Sequence, residues 1–106
     1  MIFHILFNYN QPNQVMDEKI QKILEEKIHE ATERDEELSI LVNSFKEAGT
    51  DEVNAFGHGI VIGRLYNSFY YQSRRILNRS PTDQEFSEFI KLLKKHENEL
   101  SEMSFS

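Results

Sequence analysis

Six residues between positions 64 and 78 carry the side-chain chemistry best suited to recognition. At about 100° per residue on a helical wheel, Arg64, Asn67, Tyr71, Arg74, Arg75 and Asn78 fall on one side. Tyr71 stands three or four residues from Asn67, Arg74 and Arg75, and seven from Arg64. Tyrosine and arginine carry much of the binding energy at protein interfaces, because they bury area with few rotors and still offer hydrogen bonds. These six are therefore the expected binding residues. The bland alternative is a solvated face whose arginines are neutralised by acidic segments of the same chain, and both stay open at this point.

Other chemistries are poorly supplied. The run Gly57-His58-Gly59-Ile-Val-Ile-Gly63-Arg64 looks like a phosphate loop. A dinucleotide fingerprint, however, needs a strand before it and an acid about 20 residues on. Residues 50–56 make a poor strand, no acid follows until Asp83, and no Gly-Lys-Ser/Thr is present. The plainer reading is a helix start in which Gly59 and Gly63, one turn apart, let another backbone approach. Anion capture there, helped by His58 and Arg64, is a minor alternative. Glu26-x-x-His29 has the spacing of a di-iron carboxylate ligand pair, but such a site needs two pairs and two further glutamates, and only one pair occurs. His4, His29, His58 and His96 show no ligand spacing, and Glu25-Glu26 and Asp51-Glu52 diverge around their helices. There is no cysteine, which excludes disulfides, thiolate catalysis and cysteine-ligated zinc. The expectation is a protein with no catalytic residue, no metal and no cofactor.

Charge is segregated along the 106 residues. The net charge is −6, and nine acids against four bases lie in residues 17–37. Residues 53–82 contain no acid but hold Arg64, Arg74, Arg75 and Arg79, and six acids against three bases follow from Asp83. The acidic total disfavours nucleic acid, yet arginines interleaved with tyrosine suit phosphate contact and base stacking. A nucleic-acid-associated helical protein, binding through residues 60–79, is accordingly the runner-up to a protein-interaction or adaptor module. The stretch Arg79-Ser-Pro-Thr-Asp-Gln-Glu85 resembles the Arg-x-Pro-Thr-x-x-Glu stretch of a helical region of bacterial sigma factors. Proline near a helix start followed by a capping box yields the same spacing on its own.

The elements that must position these residues are helical. Ile20, Ile23, Leu24, Ile28 and Ala31 form one stripe, and Leu38, Leu41, Val42, Phe45 and Ala48 a second in nearly the same register. Residues 15–48 are thus two helices or one of about 33 residues. Thr32 with Asp35 is one candidate helix start, Thr50 or Asp51 another, and Gly49 a candidate stop. From Ile60 to Leu77, the inward face is read as Ile62, Leu65, Tyr66, Phe69, Ser73, Ile76 and Leu77. After a turn at Pro81, Thr82 and Glu85 form a T-x-x-E capping box. Phe86, Phe89, Ile90, Leu93 and Leu100 then make the last helix amphipathic, and residues 101–106 are expected to fray.

The fold expectation is mainly α: one domain over residues 1–106, a small antiparallel bundle of three to four helices. Residues 1–14 form an apolar segment and loop. Ile2 to Phe7 reads as a short strand pairing across a dimer, or as a short buried helix. Eight phenylalanines and four tyrosines, crowded at Tyr66, Phe69, Tyr70 and Tyr71, point to a homodimer that uses this segment and the 60–79 helix, with acidic protein surfaces as further partners. No apolar run approaches the roughly 20 residues of a membrane span, and the N-terminal residues make a poor signal peptide; a cytoplasmic location is expected.

Overall fold

The computed structural model describes residues 15–33, 36–45 and 52–105. Of these, 81% are helical, in five helices, four of them of seven or more residues, and no strand occurs among them. The helices are α1 (Glu18–Thr32), α2 (Glu36–Ser44), α3 (Val53–Leu77), α4 (Asp83–Lys95) and α5 (Glu97–Ser101). The expected strand at 2–7, the Thr50/Asp51 caps and the Gly49 stop lie outside the described residues.

Residues 15–48 do not form one helix. Asp17 starts α1 by accepting from the Lys19 and Ile20 amides at 2.8 and 3.2 Å. The helix ends at Thr32, because Glu33 turns extended at φ −80°, ψ 158°. Thr32 is therefore a last-turn residue, not a cap for α2; its hydroxyl donates back to the His29 carbonyl at 2.8 Å. Ile20, Leu24 and Ile28 of α1 are buried, as are Leu38 and Val42 of α2, which keeps the expected period. Ile23 is only half-buried, and Leu41 and Phe45 are exposed.

The longest helix, α3, begins at Val53, ahead of the strong apolar pattern that sets in at Ile60, and carries all three of its glycines inside it. Its stop is Asn78, at φ 60°, ψ 32°, with its amide bonded to the Arg74 carbonyl at 3.1 Å. A short polar side chain tolerates this left-handed geometry better than most. The capping box at Thr82 and Glu85 forms as expected, with both reciprocal bonds present. The last helix does not run through to Leu100. His96, at φ −104°, ψ 16°, breaks it into α4 and α5.

Packing is organised around α3, against which α1 and α2 both lie, while α5 touches α1 and α4. Contact between α3 and α4 is made by rings. Phe69 and Phe89 stack at 4.6 Å between centroids, with planes only 4° apart. Tyr66 stands 6.2 Å from Phe86 and 6.3 Å from Phe89. The buried side of α3 is Val53, Gly57, Val61, Leu65, Phe69, Gln72 and Ser73. The expected inward residues Ile62 and Tyr66 are instead 37% and 45% exposed. In the last helix, Phe86 and Ile90 are exposed and Leu92 is buried. The reason is geometric: the apolar arc of α3 is wide, with Val61 beside Ile62 and Leu65 beside Tyr66. Helix α1 covers the Val61 edge, and α4 only half covers the other.

Two further expectations are corrected. Met103 and Phe105 pack against the core rather than fraying, with Phe105 only 5% exposed. Gly59 and Gly63 admit no close neighbour, since a Cβ at either would meet nothing within 4 Å. The close approach occurs at Gly57, where a Cβ would overlap the Phe105 ring.

Candidate functional site

The outward face of α3 contains Arg64, Asn67, Tyr71, Arg74, Arg75 and Asn78, and all six are exposed. Tyr71 shows 60% of its surface. The Arg74 guanidinium lies 5.5 Å from the Tyr70 ring centroid, a cation–π distance that holds its flat fork against the helix. The Arg75 Nε and Nη2 both donate to Gln72 Oε1, at 3.0 and 2.9 Å. Gln72 is itself buried on the inner side, so it anchors Arg75 from below.

Among the described residues, neither Arg74 nor Arg75 ion-pairs with a carboxylate. The other two arginines of the acid-free segment differ. Arg64 lines a cleft of about 180 Å³ between α1 and α3, together with Lys27 and Glu30. Arg79 is committed to Glu85 through two parallel bonds of 2.8 and 2.9 Å. Arg79 holds the Glu85 carboxyl down at about 2 against an ordinary 4.5, outweighing the opposing effect of burial, and the Thr82 amide adds to the depression. Arg79 is raised in turn, first by its hydrogen bonds to Glu85. Asn78 has a double part, as a side chain on the face and as the residue that stops the helix.

Periodicity alone did not reveal an apolar cleft elsewhere on α3. It has a volume of about 300 Å³ between α3 and α4–α5, with Ile62, Ile90, Leu93, Leu100 and Met103 among its walls and His58, Lys94 and Glu97 contributing polar groups. One turn from Ile62 and Ile90, the Tyr66 and Phe86 rings are also exposed and stand 6.2 Å apart. The signal was the doubled apolar positions 61/62 and 65/66, an arc too wide for a single neighbour to cover.

Groups that might suggest reaction chemistry are otherwise engaged. The buried Ser73 hydroxyl donates to the Phe69 carbonyl at 2.9 Å, a local helix bond. The Tyr66 phenol is pushed above its ordinary value by the neighbouring Tyr70, chiefly through hydrogen bonding, the opposite of what a phenolate nucleophile needs. His96 bonds Glu99 through Nδ1 at 2.8 Å, and its buried Nε2 has no partner. Glu26 and His29 stand on the exposed side of α1, where His29 approaches Glu33 at 3.7 Å. Among the described residues no group of three or more His, Asp or Glu could hold a metal ion. No helix among them is long and apolar enough to cross a membrane.

The chain matches no protein family, no curated protein and no solved structure.

Proposed function

We propose that the chain is a small, non-enzymatic protein-interaction module that presents the Arg/Tyr face of α3 to an acidic protein surface. The observation that carries this reading is the state of Arg74 and Arg75. Among the described residues their charges are not spent on carboxylates, and each is held in place, on Tyr70 and by Gln72, next to the exposed Tyr71. Pre-positioned arginines lose less side-chain entropy on binding than free ones. The scaffold reads as an antiparallel bundle. Its contacts pass from Tyr66–Phe86 to His58–Met103 and Asn54–Phe105, so the chain runs back along α3.

The same reading makes the protein a homodimer. A two-fold axis through the arginine face would set like charges against each other. The uncharged lip of Ile62, Tyr66, Phe86 and Ile90 carries no such penalty, so the second copy belongs there and the acidic partner on the arginines. Static light scattering that gives only a 12.6 kDa particle at high concentration would remove the dimer.

The test of the face is Tyr71→Ala with Arg75→Ala in the full chain. Helix content by circular dichroism should be unchanged. Affinity for the partner captured by the wild-type chain should fall at least about thirtyfold, the scale of a hot spot of 2 kcal/mol or more. Equal capture by both proteins would dismiss the face. Titrating short duplex and single-stranded DNA and RNA at about 50 mM salt separates the nucleic-acid alternative, whose binding would weaken steeply as salt rises.

A further inference from the structure

The last described residues lie across α2 and α3 in a socket that reads their main chain. The Phe105 ring sits directly on the α3 backbone at Gly57, where a Cβ would overlap ring carbons. His58 meets that ring edge-on, at 5.8 Å and 66°. Both main-chain polar groups of Phe105 are recognised by side chains. Its amide donates to Asn54 Oδ1 at 2.8 Å, and its carbonyl accepts from Asn43 Nδ2 at 2.7 Å. Two residues earlier, the Met103 carbonyl lies 2.8 Å from His58 Nε2. A carbonyl can only accept, so this bond places the ring proton on Nε2. Asn43 is itself set by a second bond, to the Ser39 carbonyl at 2.8 Å.

Main-chain hydrogen bonds combined with a pocket for one side chain are how proteins bind extended peptides. None of these contacts requires the peptide to belong to the same chain. We infer that Asn43, Asn54, Gly57 and His58 form a binding socket for a short extended peptide bearing an aromatic residue two positions after an apolar one, occupied here by the chain's own Met103–Phe105. The glycine makes room for the ring, the two asparagines select a backbone with a free amide and carbonyl at the aromatic residue, and His58 selects the carbonyl two residues before it. This socket lies at the N-terminal end of α3, apart from Tyr71 and its arginines. It stands whether or not the arginine face binds anything.

The resident segment acts as an intramolecular competitor. A short tether gives an effective concentration in the millimolar range, so the wild-type socket should bind a free peptide weakly and an emptied socket should bind it better. The probe is a fluorescein-labelled Glu-Met-Ser-Phe-Ser amide, matching residues 102–106, titrated by anisotropy against the full chain. Phe105→Ala should bind it at least tenfold more tightly than wild type. Phe105→Ala combined with Gly57→Ala, which places a methyl on the socket floor while favouring the helix, should lose that gain. A peptide with Ala in place of Phe should bind neither variant. Equal affinity for wild type and Phe105→Ala, or for the single and double variants, overturns the proposal. If Phe105→Ala lacks the wild-type helix signal, the decision passes to wild-type protein labelled at position 105 with 4-fluorophenylalanine. Excess unlabelled peptide should move the fluorine resonance to that of a released segment, and an unmoved resonance at saturating peptide refutes exchange.

Discussion

Replacing Glu85 by glutamine removes one charge and keeps the shape of the turn between α3 and α4. In the wild type the Glu85 side chain is 7% exposed, and Arg79 bridges both its oxygens. Its carboxyl is depressed from 4.5 to about 2, which by linkage amounts to about 3 kcal/mol of stability at neutral pH. Arg79 is 46% exposed, so solvent screens part of the interaction and about 2–3 kcal/mol is expected in practice. The sign follows from the depression: the contribution is complete above about pH 4.5, shrinks as pH falls, and is gone below about 2. Urea unfolding of both proteins at pH 7, 4.5, 3 and 2, followed by circular dichroism, isolates the effect, because other carboxylates titrate alike in both. The difference should be largest at pH 7 and approach zero near pH 2. A gap below about 0.5 kcal/mol at pH 7, or one that is the same at pH 7 and pH 2, would refute the Arg79–Glu85 pair as a source of stability.

Four other substitutions test the scaffold. Thr82→Ala deletes the acceptor for the Glu85 amide at 3.1 Å and should cost about 1 kcal/mol in urea unfolding. Gly59→Ala and Gly63→Ala, whose added methyls meet nothing within 4 Å, should each stabilise α3 by about 1 kcal/mol, seen as a higher melting temperature. Phe69→Ala empties a fully buried site and unstacks Phe89; a loss of about 3–5 kcal/mol is expected, and a loss under about 1 would show that this ring pair is not central.

Much of this fold is written in spacings of three and four residues. Ile20, Leu24 and Ile28 announce their buried stripe by period alone. Thr82 and Glu85 announce a helix start because both halves of the capping box lie within one turn. The outward position of Arg64, Tyr71, Arg74 and Arg75 is likewise a property of one helix, so the wheel places it without knowledge of neighbours. Such signals are legible because their physics acts between residues that local geometry already brings together.

What the linear chain left open depends on partners far along it. Val61 rather than Ile62 faces the core because α1 lies against that edge of an arc with two apolar choices. Phe105 is buried because Gly57, Asn54 and Asn43, as many as 62 residues away, converge beneath it. Arg79 is paired with Glu85 because the turn at Pro81 brings that carboxylate back to it, whereas Arg75 is held by Gln72 one turn earlier on its own helix and meets no carboxylate among the described residues. The periodicity of the chain determined which residues share a helix face. Which part of each face is covered, and by what, was decided only when the helices met, since burial belongs to pairs of surfaces and not to either one.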